Sequence, residues 1–312
     1  DCSWKQERQD ALRVAAVLGI PFETFDFEAE YRRDVVDYMV REYAAGRTPN
    51  PDVMCNSKVK FGLFLDRALA MGADAVATGH YARVVEEDGR FALLAGVDAN
   101  KDQSYFLHRL TQAQLSRTLF PIGHLPKPEV RRLAAEMRLP TAAKKDSQGI
   151  CFIGKVDLRE FLGAKIAGSP GPIITTDGHV VGRHAGAAPF TIGQRQGIGI
   201  GGGAPYFVVE KDVRRNTVVV AREDGSGALY SSALSAEDAH WIGGEPPRFP
   251  HPCGVRIRYR QPLQDAVVRE QDGVIRVDFA KPQRAVAPGQ FAVFYDGERC
   301  LGGAVISGPA AS

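Results

Sequence analysis

The stretch Asp74-Ala75-Val76-Ala77-Thr78-Gly79-His80-Tyr81 decides the fold. Its first five residues read as a short strand of small and apolar side chains, entered from a helical pattern that ends at Gly72. The run then stops on Gly79 and His80. A buried strand that follows a helix in this way suits a parallel sheet covered by helices. Ligands of such sheets bind beyond the carboxyl ends of the strands, so Gly79 and His80 fall at the expected binding edge. A histidine there has a second reading, as a residue that only caps or packs.

Upstream, Ser3 and Gln6 resemble a capping box, and Ala11, Val14, Ala15 and Leu18 line one helical face before Gly19. Residues 20–27 read as a strand. A helix is predicted from about 30 to 45, stopped by Gly46, and another from Asn56, with Val59, Leu63 and Ala70 on its apolar side. Downstream, residues 82–94 read as a hairpin turning at Asp88-Gly89. Helices are predicted over about 103–110, 112–119 and 128–139. From about residue 165 Gly and Pro become frequent and short β runs replace helical periodicity, at Tyr206–Glu210, Thr217–Ala221, Gly254–Tyr259, Val274–Phe279, Gln290–Tyr295 and Cys300–Ile306, with Asp224-Gly-Ser-Gly227 as a linker. The predicted class is α/β: an N-terminal parallel-sheet domain over 1–160, a small central domain over 161–225 and a C-terminal β-barrel over 226–312.

The chain has 312 residues, 44% hydrophobic and 24% charged, ordinary for a globular protein of two or three domains. No apolar run approaches the ~20 residues of a membrane span. The net charge of +2 gives no global nucleic-acid signature. Basic residues are nonetheless gathered at 127–145 and at 248–260, the latter with Arg248, Arg256, Arg258 and Arg260 and no acid. Either cluster can hold phosphates, or be merely a solvated face.

Five cysteines at irregular spacing do not form a secreted disulfide framework and suit a reducing compartment. Cys55 and Cys151 differ from the others. Each sits among charged and turn-forming residues, in Arg47-Thr-Pro-Asn-Pro-Asp-Val-Met-Cys-Asn56 and in Lys144-Lys-Asp-Ser-Gln-Gly-Ile-Cys-Phe-Ile-Gly154. Such surroundings lower a thiol pKa and leave sulfur reachable, so the two are read as a redox or sulfur-transfer pair if the fold brings them together. Cys253 and Cys300 are read as structural. Neither Cys55 nor Cys151 has a C-x-x-C partner, and no metal site is predicted. Asp52, three residues before Cys55 between prolines, is either a general base or an Asx-turn residue. Asp102 is either an N-cap or, with Lys101 and Gln103, part of a polar binding edge. Gly197-Ile-Gly-Ile-Gly-Gly202 matches the dinucleotide fingerprint by letter, but a strand rather than a helix follows, so that reading is rejected.

Taken together, the motifs resemble one family, the bacterial-type tRNA-specific 2-thiouridylases. The matching stretches are Gly46 to Asn56, Lys60-Phe61, Ala77 to Arg83, Lys101 to Leu107, Phe120 to Gly123, Asp146 to Gly154, Thr191 to Arg195 and Arg256 to Tyr259, in order along nearly the whole chain. The resemblance implies an ATP-pyrophosphatase domain of the adenine-nucleotide α-hydrolase type, a central domain and a tRNA-binding β-barrel. It implies adenylation of the C2 oxygen of wobble uridine 34 in tRNA and replacement of that oxygen by persulfide sulfur, giving 2-thiouridine, AMP and diphosphate. Cys151 then carries the persulfide, Cys55 is its nucleophilic partner, and a transient Cys55–Cys151 disulfide forms. Asp52 is the candidate base, with Asn50, Pro51 and Asp52 at the target base and Gly79 at ATP. His80, Lys101, Asp102, Gln103, Arg258, Tyr259 and Gln290 fall at tRNA contacts.

The implied reactants are ATP with Mg2+, tRNA and a persulfide sulfur-donor or relay protein, in the cytoplasm. Family members also carry a Ser-Gly-Gly-x-Asp-Ser loop for the ATP phosphates, and none occurs in these 312 residues. The chain as it stands is therefore expected to bind ATP poorly. The competing expectations are a tRNA-binding remnant without catalysis, and another ATP-pyrophosphatase such as an amidotransferase-type ligase.

Overall fold

The computed structural model describes residues 4–144, 158–201, 204–222 and 227–310. Cys151 and most of the linker at 224–227 lie outside the described residues. The described residues fall into two compact units. The first holds the chain up to Val35, then from Pro51 to residue 144, and Glu298–Cys300; the second holds Val36–Asn50, the chain from Leu158 to Gly297, and the chain from Leu301.

In the first unit, helix α1 (Trp4–Leu18) stops where Gly19 takes a φ of 64°, a conformation that an L side chain resists. Residues 20–27 form no strand, against the sequence reading. Pro21 lacks the N–H a ladder needs, and Phe25 packs instead on Phe64, with ring centroids 5.8 Å apart. Helix α2 (Glu28–Tyr31) continues through wide π-type turns at Arg32–Val36 into α3 (Asp37–Ala44), which belongs to the second unit.

The next helix starts earlier than the sequence suggested. α4 (Pro51–Met54) opens on proline, whose fixed φ and missing N–H suit a first helical turn. It runs through a ten-residue π-helical segment, Cys55–Phe64, into α5 (Leu65–Ala70). The Cys55 stretch is thus helical rather than a loop, and Asn56 lies inside the helix, buried, instead of capping it.

Strand β1 (Val76–Ala77) pairs in parallel with β4 (Thr118–Leu119); between them come the hairpin strands β2 (Ala82–Glu87) and β3 (Arg90–Ala95). The hairpin turns where Asp88 and Gly89 both have positive φ, the geometry of a type I′ turn. A 3₁₀ turn at Ser104–Leu107 and the short α6 (Gln112–Leu115) stand where longer helices were expected. Thr111 and Gln114 close a capping box on α6, and the chain then enters β4 within one turn. Helix α7 (Lys127–Glu136) completes the unit.

The second unit is mostly β. After α8 (Leu158–Gly163) come β5 (Gly171–Thr175), β6 (Val180–His184), β7 (Tyr206–Asp212) and β8 (Thr217–Arg222) in a sheet of order β6-β5-β8-β7. Ile173, Phe190, Val208, Val218 and Val220 form its core. Six longer strands follow: β9 (Tyr230–Trp241), β10 (His251–Arg256), β11 (Gln264–Gln271), β12 (Val274–Arg284), β13 (Phe291–Asp296) and β14 (Arg299–Pro309). Their order is β13-β10-β11-β12-β9-β14, and a β13–β14 pairing closes the barrel, which leaves no open edge. Val255, Val268, Val277, Phe294 and Ile306 fill it. Gly302 is required where β14 meets β9, since a Cβ there would stand 1.9 Å from the His240 carbonyl oxygen.

Candidate active site

In the first unit the helix from Pro51 carries Asp52 and Cys55 three residues apart, a spacing that puts both on one helical side. Cys55 is fully buried, whereas the sequence reading expected a reachable sulfur on a loop. Asp52 is half-buried, and its Oδ1 is buried without a hydrogen-bond partner among the described residues. Asn56 Oδ1 is in the same condition, while its amide donates to the Phe106 carbonyl at 3.4 Å. Buried acceptors left open this way are costly to a fold. Proximity to Cys151 is not described, because Cys151 lies outside the described residues.

Gly79 is exposed at the carboxyl end of β1, as the sequence predicted, and a Cβ there would touch only Ile122 Cδ1 at 3.9 Å. That open edge fits close approach by a flat ligand. His80 turns inward instead. Its ring lies 5.7 Å from Phe61 and 6.0 Å from Phe120, and Nδ1 is 2.8 Å from Thr78 Oγ1. Burial pushes its pKa down to about 3, and the Lys60 charge adds to the shift, so the ring is neutral at physiological pH. The packing reading of His80 is the one its surroundings match.

The Lys101-Asp102-Gln103 stretch braces this edge. Gln103 donates its N–H to the Tyr81 carbonyl at 2.8 Å and accepts the Tyr81 N–H on Oε1 at 3.0 Å. Asp102 is buried and accepts from the N–H groups of Gly96 and Ser104, both at 3.0 Å; it forms an Asx turn rather than an N-cap, since the residue that caps the 3₁₀ turn is Gln103. Lys101 donates its N–H to the Asp98 carbonyl at 2.9 Å.

The second unit holds the remaining predicted site residues. Asn50 ends the stretch Val36–Asn50 and is half-buried. Gln290 directs its amide Nε2 at the carbonyls of Thr48 (2.8 Å) and Pro49 (3.2 Å), just before Asn50. Arg258 donates through Nη2 to the carbonyls of Ile192 (3.0 Å) and Ala285 (2.9 Å), and Arg260 lies over the Tyr259 ring at 5.1 Å. Arg256 lies over Tyr295 at 4.9 Å. Arg256 and Arg258 are thus held against ring faces and backbone carbonyls of the second unit. In the 127–145 cluster, Arg132 pairs with Glu129 and Glu136, and Lys144 with Glu7 and Asp10.

Lys211 was not legible as a site residue. It is half-buried, its ammonium lying over the Tyr43 ring, and desolvation of that ammonium lowers its pKa to about 8. Cys253 packs against the barrel core with its pKa pushed up to about 11 by burial, and Cys300 is buried, as expected of inert thiols. Among the described residues no group of three or more His, Cys, Asp or Glu is placed to hold a metal, and no helix is long and apolar enough to cross a membrane.

Family models match along the chain: a tRNA methyl transferase HUP domain over residues 1–155, a tRNA methyl transferase PRC-barrel domain over 159–222 and an aminomethyltransferase β-barrel domain over 231–306. The chain is 52% identical over 313 residues to the tRNA-specific 2-thiouridylase MnmA of Xanthomonas campestris pv. campestris (strain B100), covering 98% of this chain and 83% of that protein. It is 52% identical over 307 residues to the tRNA-specific 2-thiouridylase MnmA 2 of Geobacillus kaustophilus (strain HTA426), with the same coverage. The relative from Stenotrophomonas maltophilia (strain K279a), also named a tRNA-specific 2-thiouridylase, is 52% identical over 314 residues. With three domain matches in order and half of all positions shared over nearly its full length, the chain belongs to the tRNA-specific 2-thiouridylase family.

Proposed function

We propose that this protein replaces the C2 oxygen of wobble uridine 34 in tRNA with sulfur, as a tRNA-uridine 2-sulfurtransferase, using Cys151 and Cys55. The observation that carries the reading is the 52% identity to named 2-thiouridylases over 98% of the chain. The site agrees with it in kind: a buried thiol, a carboxylate with an open acceptor, and a sheet edge with room for a flat ligand.

ATP supplies the leaving group, since the C2 oxygen departs only once it is esterified to AMP. The residues of this chain do the rest. The wobble base must be splayed out of the anticodon loop, as single-stranded RNA usually is when read. Asn50, Pro51 and Asp52 receive it, Gly79 lies at the nucleotide edge, and Arg258 and Tyr259 lie along the tRNA backbone. Asp52 serves as the base. The terminal sulfur of a Cys151 persulfide attacks C2, and AMP leaves with the C–O electron pair. The Cys55 thiolate then attacks the Cys151 sulfur. The S–S bond breaks with its electron pair on the uridine sulfur, and a Cys55–Cys151 disulfide remains for an external thiol to reduce. Cys55 is fully buried, so this sequence needs a rearrangement that uncovers it once tRNA is bound. Mg2+ would accompany the nucleotide phosphates, a persulfide-bearing protein would reload Cys151, and the reaction belongs in the bacterial cytoplasm.

The test is thiolation of an unmodified tRNA with a wobble uridine, given ATP and a persulfide sulfur donor and read as a mercury-dependent gel shift. The parent protein is expected to thiolate and Cys151→Ser to fail. A parent that binds the tRNA and never thiolates it would instead support the non-catalytic remnant.

A further inference from the structure

The stretch Gly46–Pro49, which leads into Asn50, is gripped from two sides within the second unit. On the barrel side, Gln290 donates to the Thr48 and Pro49 carbonyls, and the Thr48 N–H donates to the Pro288 carbonyl at 2.7 Å. Gly289 has a φ of 88°, and a Cβ there would stand 2.9 Å from both Arg47 Cβ and Thr48 N, so the two backbones meet at the closest approach glycine allows. On the side of the central sheet, the Lys211 ammonium donates to Phe190 O at 2.6 Å and Ala188 O at 3.0 Å, with a longer contact to Arg47 O at 3.5 Å, and it lies 5.5 Å from the centre of the Tyr43 ring. The turn it holds carries Thr191, whose hydroxyl is 3.4 Å from that of Thr48. Gly46 has a φ of 80°, and a Cβ there would press on Val213 at 3.2 Å.

A half-buried lysine whose ammonium is desolvated against neutral carbonyls and a ring is costly, and an apolar residue of similar volume would pack there without that cost. One tetrahedral head does what no apolar side chain can: two of its donors hold the turn at 188–190, the third reaches the loop at Arg47, and its charge lies over the Tyr43 ring near the end of α3. Gln290 does the same from the barrel with a planar donor pair.

We propose that Lys211 and Gln290 are positioning residues that together clamp the Gly46–Pro49 loop, and so fix Asn50 for the flipped base, without either contacting the reacting atoms. This rests on the thiolation reading given above. It assigns Gln290 a loop-holding role through its amide donors.

Lys211→Met and Gln290→Met remove the donors at nearly constant volume, and Lys211→Arg is the conservative control. The expected result has three parts. Hydrogen exchange at the amides of residues 47, 48 and 50 accelerates about tenfold or more in both Met variants, with the barrel strands unchanged. The single-turnover thiolation rate falls about tenfold or more at saturating tRNA, while tRNA affinity stays within about twofold. The double variant loses little more than either single one, as a shared clamp requires. Lys211→Arg restores part of the rate. Exchange at 47–50 unchanged in both variants would overturn the clamp even in a protein that did no thiolation. Weakened tRNA binding in Gln290→Met at an unchanged rate would make Gln290 a tRNA contact and overturn its assignment. If the exchange effect appeared but the parent failed to thiolate, the clamp would stand and the functional reading would fall.

Discussion

Gln103 and Tyr81 close a two-bond ring: the Gln103 N–H reaches the Tyr81 carbonyl at 2.8 Å, and the Tyr81 N–H reaches Gln103 Oε1 at 3.0 Å. One side chain thereby imitates a neighbouring strand for the residue that follows Gly79 and His80. Gln103→Ala leaves the Tyr81 N–H, in a buried residue, without its acceptor. We expect a loss of about 1–3 kcal/mol in denaturant unfolding and a lower thiolation rate, whereas Gln103→Glu keeps the acceptor and most of the stability. Equal stability of the Ala variant and the parent would show that this brace is not needed.

His80 gives a pH signature. Its pKa is about 3 in the fold against 6.5 when unperturbed, so between these values the unfolded chain binds the proton that the folded chain refuses. Stability from this residue is therefore complete well above pH 6.5 and falls as the pH drops toward 3. Between pH 7 and pH 5 the loss is about 2 kcal/mol. Urea unfolding at both pH values should show that difference for the parent and a smaller one for His80→Phe. Identical pH slopes for the two proteins would contradict a buried neutral ring.

Asp52 separates chemistry from folding. Its Oδ1 is buried without a partner among the described residues, so the fold gains little from the charge. Asp52→Asn should lower the thiolation rate about 100-fold, with the melting temperature unchanged or raised. A variant that melts early and keeps its rate would make Asp52 a structural turn residue.

Cys253 should be silent. Burial holds its thiol up at about 11, so little thiolate exists at neutral pH. Iodoacetamide should leave it unmodified in the native protein at pH 7.5, and Cys253→Ala should thiolate within about twofold of the parent. Rapid alkylation at this position would contradict the packing against the barrel core.

Sequence patterns carried the fold where local chemistry is strong. Val76–Ala77 appeared as a strand ending on Gly79, and Asp88-Gly89 as the hairpin turn, because small apolar runs and left-handed turn residues act locally. β9 was missed although it is the longest strand. Its sequence, Tyr-Ser-Ser-Ala-Leu-Ser-Ala-Glu-Asp-Ala-His-Trp, lacks β-branched residues, and pairing with β12 on one side and β14 on the other imposes the strand. β5, β6 and β11 were missed as well, being short or polar. At the site, Cys55 and Asp52 stood out by their neighbours, yet the helix beneath them was hidden because Pro49 and Pro51 read as loop residues and Pro51 in fact opens a helix. Lys211 gave no signal at all: one lysine in Val-Val-Glu-Lys-Asp reads as an exposed strand residue, and only the carbonyls of a distant turn show that its ammonium is engaged.

The most direct test of sulfur transfer by the two cysteines is a single turnover by the Cys55→Ser variant, with its Cys151 loaded as persulfide and ATP and unmodified tRNA supplied, run on a non-reducing gel. Without Cys55 to cleave the S–S bond, the tRNA should remain joined to the protein through a disulfide at Cys151 and be released as 2-thiouridine tRNA by dithiothreitol. Free thiolated tRNA appearing at the parent's rate, with no adduct, would contradict a role for Cys55 in releasing the product.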